Sequence, residues 1–162
     1  MIVTREASIT DQEPIWQIIQ QVIAAGDTYV FAPDSAKEKM LGYWFAEGTH
    51  TYVATIDGAI KGTFLIRNNQ PALGSHIANA AYMVLPAASG QGIGKAMGLF
   101  SLEEARRLGY RAMQFNFVIK TNETAIRLWQ KMGFTIIGEI PEAFQHQQKG
   151  LVNALILYKK LD

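Results

Sequence analysis

No cysteine occurs among the 162 residues. That absence excludes disulfides, thiolate metal sites and a cysteine nucleophile, and it is compatible with a cytoplasmic location. No apolar run is long enough to cross a bilayer, so no membrane partner is expected. The first residues, Met1-Ile2-Val3-Thr4-Arg5-Glu6, lack the apolar core of a signal peptide. An excess of charge is missing too: 15 basic and 14 acidic side chains leave a formal net charge of +1. So balanced a chain argues for neither nucleic acid nor an anionic membrane as partner. Repeats, low-complexity tracts and flexible linkers are absent. The length suits one domain over 1–162 that buries a sizeable core without staples. No metal is expected.

What is present is a glycine loop, Ser89-Gly90-Gln91-Gly92-Ile93-Gly94-Lys95-Ala96, between an apolar run ending at Pro86 and a segment with helical character. Strand, glycine loop and helix start build an anion site, because the first N–H groups of a helix lack intrahelical partners and its dipole is positive there. Spacing separates the candidate ligands. A P-loop places a hydroxyl after Gly-Lys for Mg²⁺, but Ala96 follows Lys95 and Ser89 stands where the first glycine belongs. A dinucleotide fingerprint from Gly90 or Gly92 puts Lys95 or Met97 where its third glycine belongs. Both spacings fail. The third option is the acyl-CoA loop, Gln/Arg-x-x-Gly-x-Gly/Ala, which Gly92 and Gly94 fit, with Ser89 in place of Gln or Arg. A second segment, Asn122-Glu123-Thr124-Ala125-Ile126-Arg127-Leu128-Trp129-Gln130-Lys131-Met132-Gly133-Phe134, follows after room for a helix, a turn and a strand.

Periodicity gives the surrounding elements. Residues 1–6 read as a strand. Thr10 and Glu13 suggest a capping box for a helix carrying Ile15, Ile18, Ile19, Val22 and Ile23, which stops near Gly26. Ser35 and Glu38 suggest a second box before Met40, Leu41, Trp44 and Phe45. Residues 51–56 and 60–66 read as a hairpin about Asp57-Gly58. Residues 77–85 and 111–118 read as strands, with a helix between them that ends near Leu108 and Gly109. Asn122 caps another helix, and 134–139 and 154–159 read as strands joined by a polar connection over 141–151. The alternation implies an α/β chain with a mixed sheet covered by helices on both faces.

The two motifs resemble those of the GNAT superfamily of acyl-CoA-dependent N-acetyltransferases, the second matching Asn-x-x-Ala-x-x-Leu-Tyr-x-Lys-x-Gly-Phe. The resemblance implies a GNAT fold with a central splayed, mostly antiparallel sheet, and acetyl-CoA as cosubstrate. It implies that the N–H groups of Gln91, Gly92, Ile93, Gly94, Lys95 and Ala96 hold the pyrophosphate, with Gly92 and Gly94 kept small. Lys95 either adds charge or is a solvated helix residue. Met83 and Val84 would pair with the pantetheine arm where their strand parts from the next, and one of their N–H groups would polarise the acetyl oxygen. Asn122 would touch the CoA arm, cap its helix, or do both.

Two family features are missing. Trp129 stands where the family often has a tyrosine that protonates the thiolate, and indole only donates. No carboxylate lies in 77–85 to act as base. Asn79 and Asn116 stand on the two central strands, either as substrate anchors or as amides bridging the strands. Tyr82 and His76 are weaker base candidates, beside a water chain. Direct attack by a neutral amine in a ternary complex fits these residues best.

Residues 77–84 and 113–118 also resemble the microbial and fungal N-acetyltransferases of proline analogues such as azetidine-2-carboxylate. That likeness implies a small-molecule amine, such as an amino acid or proline analogue, as substrate, Asn79 and Asn116 as anchors, and a homodimer. Tyr29 and Phe31 would then wall the pocket, unless they serve core or interface packing. Ser89 and Trp129 keep a second function open, a CoA-binding sensor without turnover; a nucleotide module is the third.

Overall fold

The computed structural model describes residues 1–162. Its strands are β1 (Ile2–Glu6), β2 (His50–Ile56), β3 (Ala59–Asn68), β4 (Ile77–Val84), β5 (Ala112–Ile119), β6 (Thr135–His146) and β7 (Gly150–Lys160). They form one seven-stranded sheet in the order β1-β2-β3-β4-β5-β7-β6. The turn between β2 and β3 is made by Asp57 and Gly58 at φ 50° and 83°, the left-handed pair that a tight two-residue hairpin needs. Neighbouring strands run antiparallel except β4 and β5, which are parallel and pair only at Ile77↔Ala112 and Ala78↔Met113. Past Ala78 the two strands part.

Side chains alternate between the two faces of a strand, and each face has its own core. Leu65 and Met83 pack with Ile15, Ile18, Ile19 and Ile23 of α1 (Gln12–Ala24) and with Met40 and Trp44 of α2 (Lys37–Trp44). Phe64, Ile66, Ala78 and Ala80 point the other way. They meet Ile93, Met97, Leu102 and Ala105 of α3 (Ile93–Arg107) and Trp129 of α4 (Glu123–Lys131). Helices therefore cover both faces, as the alternation of elements implied.

Three local expectations are corrected. Thr10 and Glu13 form no capping box: Asp11 accepts from the Ser8 N–H at 2.7 Å and from the Arg5 guanidinium at 2.7 and 3.0 Å. Glu13 instead pairs with Lys37 and Gln17. Ser35 and Glu38 form none either, because the Ser35 hydroxyl donates to the Ala32 carbonyl at 2.7 Å and Ala36 is the N-cap of α2. The polar span 141–151 is mostly strand, with β6 reaching His146 and β7 starting at Gly150. A bulge resets the register between Ile140 and Phe144, where Glu142 takes φ 49°. This edge strand faces water, so polar side chains there do not signal a loop.

Candidate active site

Gly90 and Gly92 adopt φ 81° and 83°, and Gly92 is the N-cap of α3. The Ala96 N–H donates to the Gly92 carbonyl at 3.0 Å, the first bond of the helix. The N–H groups of residues 90–95 meet no main-chain acceptor. Gln91, Gly92, Ile93, Gly94 and Lys95 thus keep the donors expected of them, whereas Ala96 has spent its own inside the helix. Glycine is needed at 92 for conformation rather than space: an added Cβ would meet only the Ile2 Cδ1, at 4.0 Å. At Gly94 a Cβ would make ordinary contact with Leu128 at 3.7 Å, so the protein itself does not demand a small residue there.

The opening between β4 and β5 leads into a cavity of about 1040 Å³. Its walls include Tyr29, Phe31, Asn79, Tyr82, Met83, Val84, Gly92, Ile93, Gly94, Lys95, Asn116, Asn122 and Trp129; Gln91 and Ala96 lie outside them. One continuous space thus joins the glycine loop to the loop after α1.

Strand register decides which main-chain groups face the gap. The Leu85 N–H donates to the Lys61 carbonyl on β3 at 2.8 Å, while the His76 carbonyl accepts from Arg111, next to β5, at 2.9 Å. Groups alternate sides along a strand, so the odd residues of β4 face β3 and the even ones face β5. This corrects Met83 as a pairing position: its N–H and carbonyl point to Thr63, its partner on β3. Val84 keeps the orientation expected of it, and Tyr82 joins it. The Tyr82 N–H donates to the Tyr29 hydroxyl at 3.0 Å, and that hydroxyl donates to the Tyr82 carbonyl at 2.5 Å.

The base candidates fare poorly. The Tyr82 hydroxyl lies 2.6 Å from Ser101 Oγ and 3.6 Å from Met113 Sδ, and burial pushes this phenol well above the ordinary tyrosine range. A phenol that stays protonated at neutral pH is a poor proton acceptor, and this one is engaged with Ser101 and Met113 inside the core. His76 is exposed and outside the cavity walls. Asp27, exposed on the loop after α1, is the one carboxylate in the lining.

Asn79 and Asn116 share the cavity wall without bonding each other. Asn79 Nδ2 donates to the Gln114 carbonyl at 3.0 Å, bridging β4 and β5 just past their last paired residues. Its Oδ1 remains as an acceptor. Asn116, which is exposed, donates to Asn69 Oδ1 at 2.6 Å and accepts from Gln114 Nε2 at 3.0 Å. Asn122 Oδ1 caps α4 through a long 3.5 Å contact with the Ala125 N–H, and the residue also lines the cavity. Trp129 packs its ring 4.7 Å from both Tyr82 and Phe115, which makes it part of the core as well as of the wall.

Arg67 and Tyr43 were not legible as site residues. Arg67 ends the apolar run Phe64-Leu65-Ile66, where a lone cation reads as a strand end. In the fold its guanidinium hydrogen-bonds the Tyr43 hydroxyl at the cavity wall. Only the β3–β4 register, which sets it opposite Asn79, reveals the placement.

Comparison with known proteins agrees with this architecture. The sequence model described as "Acetyltransferase (GNAT) family" matches residues 16–134. A GCN5-related N-acetyltransferase from Kribbella flavida superposes with a TM-score of 0.94 at 35% identity, over 99% of this chain and 98% of that one. A GNAT superfamily phosphinothricin acetyltransferase from Sinorhizobium meliloti, solved in complex with AcCoA, superposes at 0.87 with 19% identity, over 99% and 88% of the two chains. N-acetyltransferase aca1 of Schizosaccharomyces pombe is 36% identical over 99 residues, 60% of this chain. That match spans 47% of the relative's length, about half of it. From its mixed seven-stranded sheet, its parted central strands and these matches, the chain belongs to the acetyltransferase (GNAT) family.

Proposed function

We propose that this protein transfers an acetyl group from acetyl-CoA to the amine of a small molecule, an amino acid or a proline analogue in size. One observation carries the reading: β4 and β5 part beside the start of α3, so an edge of main-chain groups and a row of N–H donors open into one cavity. The N–H groups of 90–95 suit a diphosphate. The edge at Tyr82 and Val84 suits the amide-bearing arm, and an N–H there suits the thioester oxygen as it gains charge.

In a ternary complex the neutral amine attacks the carbonyl carbon. The C–N bond forms, the C–S bond breaks, water takes the amine proton, and the thiolate leaves. Thiols have pKa values of about 8.5, so this leaving group departs without an acid, consistent with tryptophan at 129. Holding two reactants in one cavity supplies on the order of 7–11 kcal/mol at best. Incubation with acetyl-CoA and a panel of amino acids and cyclic secondary amines tests the reading by thiol release; silence across the panel contradicts it.

Ser89 and Trp129 favour a second reading, a CoA-binding module without turnover. Calorimetry showing tight CoA binding in a protein that transfers nothing would support it.

A further inference from the structure

We propose that the acceptor is an amino acid whose carboxylate is held by Arg67; this rests on the acetyl-transfer reading above. The starting point is register. Arg67 on β3 stands directly opposite Asn79 on β4. Leu65 and Met83, at odd positions of the same strands, pack against α1 and α2. Arg67 and Asn79 therefore share that face of the sheet.

Three rings stand in file over the same face. Tyr29 and Phe31 have centroids 6.1 Å apart, Phe31 and Tyr43 5.0 Å, and the Arg67 guanidinium carbon lies 4.4 Å from the Tyr43 centroid. One end of the file is the Tyr29 hydroxyl on the main chain of Tyr82, where β4 offers its free edge. The other end is a cation. Every member lines the cavity.

Arg67 takes part in none of the ion pairs of the molecule. Its partner is a neutral phenol, the Tyr43 hydroxyl. A guanidinium carries five N–H donors in a planar fork, so most of the fork is left for a ligand. An oxyanion that accepts two of them at once is the complement such a fork fits best. The other cations of the lining, Lys95, Arg127 and Lys131, belong to α3 and α4, on the diphosphate side.

The amine has its own recognition group. Asn79 Nδ2 is committed to the Gln114 carbonyl, which leaves Oδ1 as an acceptor for an amine N–H. A donor fork for the carboxylate and an acceptor for the amine thus stand on register-paired positions of β3 and β4, and both line the cavity. The rings flank the carbon skeleton between them. A simple alkylamine would leave Arg67 without an anion, and a polyamine would bring like charge to it.

The test pairs each amino acid with its counterpart lacking the acid: azetidine-2-carboxylate with azetidine, proline with pyrrolidine, methionine with methioninamide. Wild-type protein is expected to show a KM for the acid-bearing member roughly ten- to hundredfold below that of its partner, the range of a charge-assisted hydrogen bond. Arg67→Gln is expected to erase that preference while the KM for acetyl-CoA stays within about twofold, and Arg67→Lys to restore part of it. Equal kcat/KM within every wild-type pair would overturn the carboxylate subsite and leave acetyl transfer standing. Preference retained in a folded Arg67→Gln protein would overturn the assignment to Arg67. No transfer to any compound would fell the enzymatic reading and this one together. Should Arg67→Gln fail to fold, the wild-type pairs still decide.

Discussion

The hydroxyl of Tyr29 satisfies both main-chain groups of Tyr82, taking its N–H at 3.0 Å and giving to its carbonyl at 2.5 Å. A side chain from the loop after α1 thereby stands where a neighbouring strand would pair. The proposed thioester arm needs the same edge, so arm and phenol compete for it.

Tyr29→Phe removes that competitor. Acetyl-CoA should bind a few-fold more tightly, and the free protein should lose about 1 kcal/mol for two edge groups left to water. Calorimetry and thermal melting measure the two effects. Weaker binding would mean that the Tyr29 hydroxyl works with the ligand.

Gly92→Glu places a side chain at φ 83° and a negative charge amid the free N–H groups. Affinity for CoA should fall at least about a hundredfold, with roughly 1–3 kcal/mol of backbone strain. Gly94→Ala, whose Cβ meets Leu128 at an ordinary 3.7 Å, should leave the melting temperature unchanged. Isothermal titration with CoA and thermal melting of both proteins check the contrast.

Tyr82→Phe should retain acetyl transfer within about threefold and lose about 1 kcal/mol of stability, because its hydroxyl serves Ser101 and Met113. The pH–rate profile should not change shape. Loss of an ionisation limb in that profile would restore Tyr82 to the proton path.

Asp11 gives stability a sign with pH. The Arg5 guanidinium, with the Ser8 N–H, holds its carboxyl at about 2 against an ordinary 3.8. Its folded pKa is the lower one, so its contribution is full above pH 3.8 and is lost as pH falls toward 2. Arg5 is nearly half exposed, so solvent screening limits the effect to about 1–2 kcal/mol. Asp11→Asn should lower the melting temperature at pH 7, and the difference should close through that acid window. A difference that persists at pH 2 would assign the effect to packing.

Much of the fold was legible because its signals are local. Asp57-Gly58 can hardly be other than a tight turn, and the spacing Ile15, Ile18, Ile19, Ile23 writes a buried helix stripe. The glycine loop was legible for the same reason, since a left-handed Gly92 before a helix is a property of adjacent residues. Long-range competition hid the rest. Nothing near Thr10 says that Arg5, across a turn, will draw Asp11 into the cap. The length of β6 was hidden because an edge strand facing water carries polar residues. The pairing side of Met83 depends on β3, and Arg67 means little until register sets it opposite Asn79.

A crystal structure with acetyl-CoA bound tests the central claim most directly. The account predicts the diphosphate on the N–H groups of 90–95, the arm on the main chain of Tyr82 and Val84, and the Tyr29 hydroxyl displaced. A diphosphate bound elsewhere, or β4 and β5 closed against each other along their whole length, would contradict it.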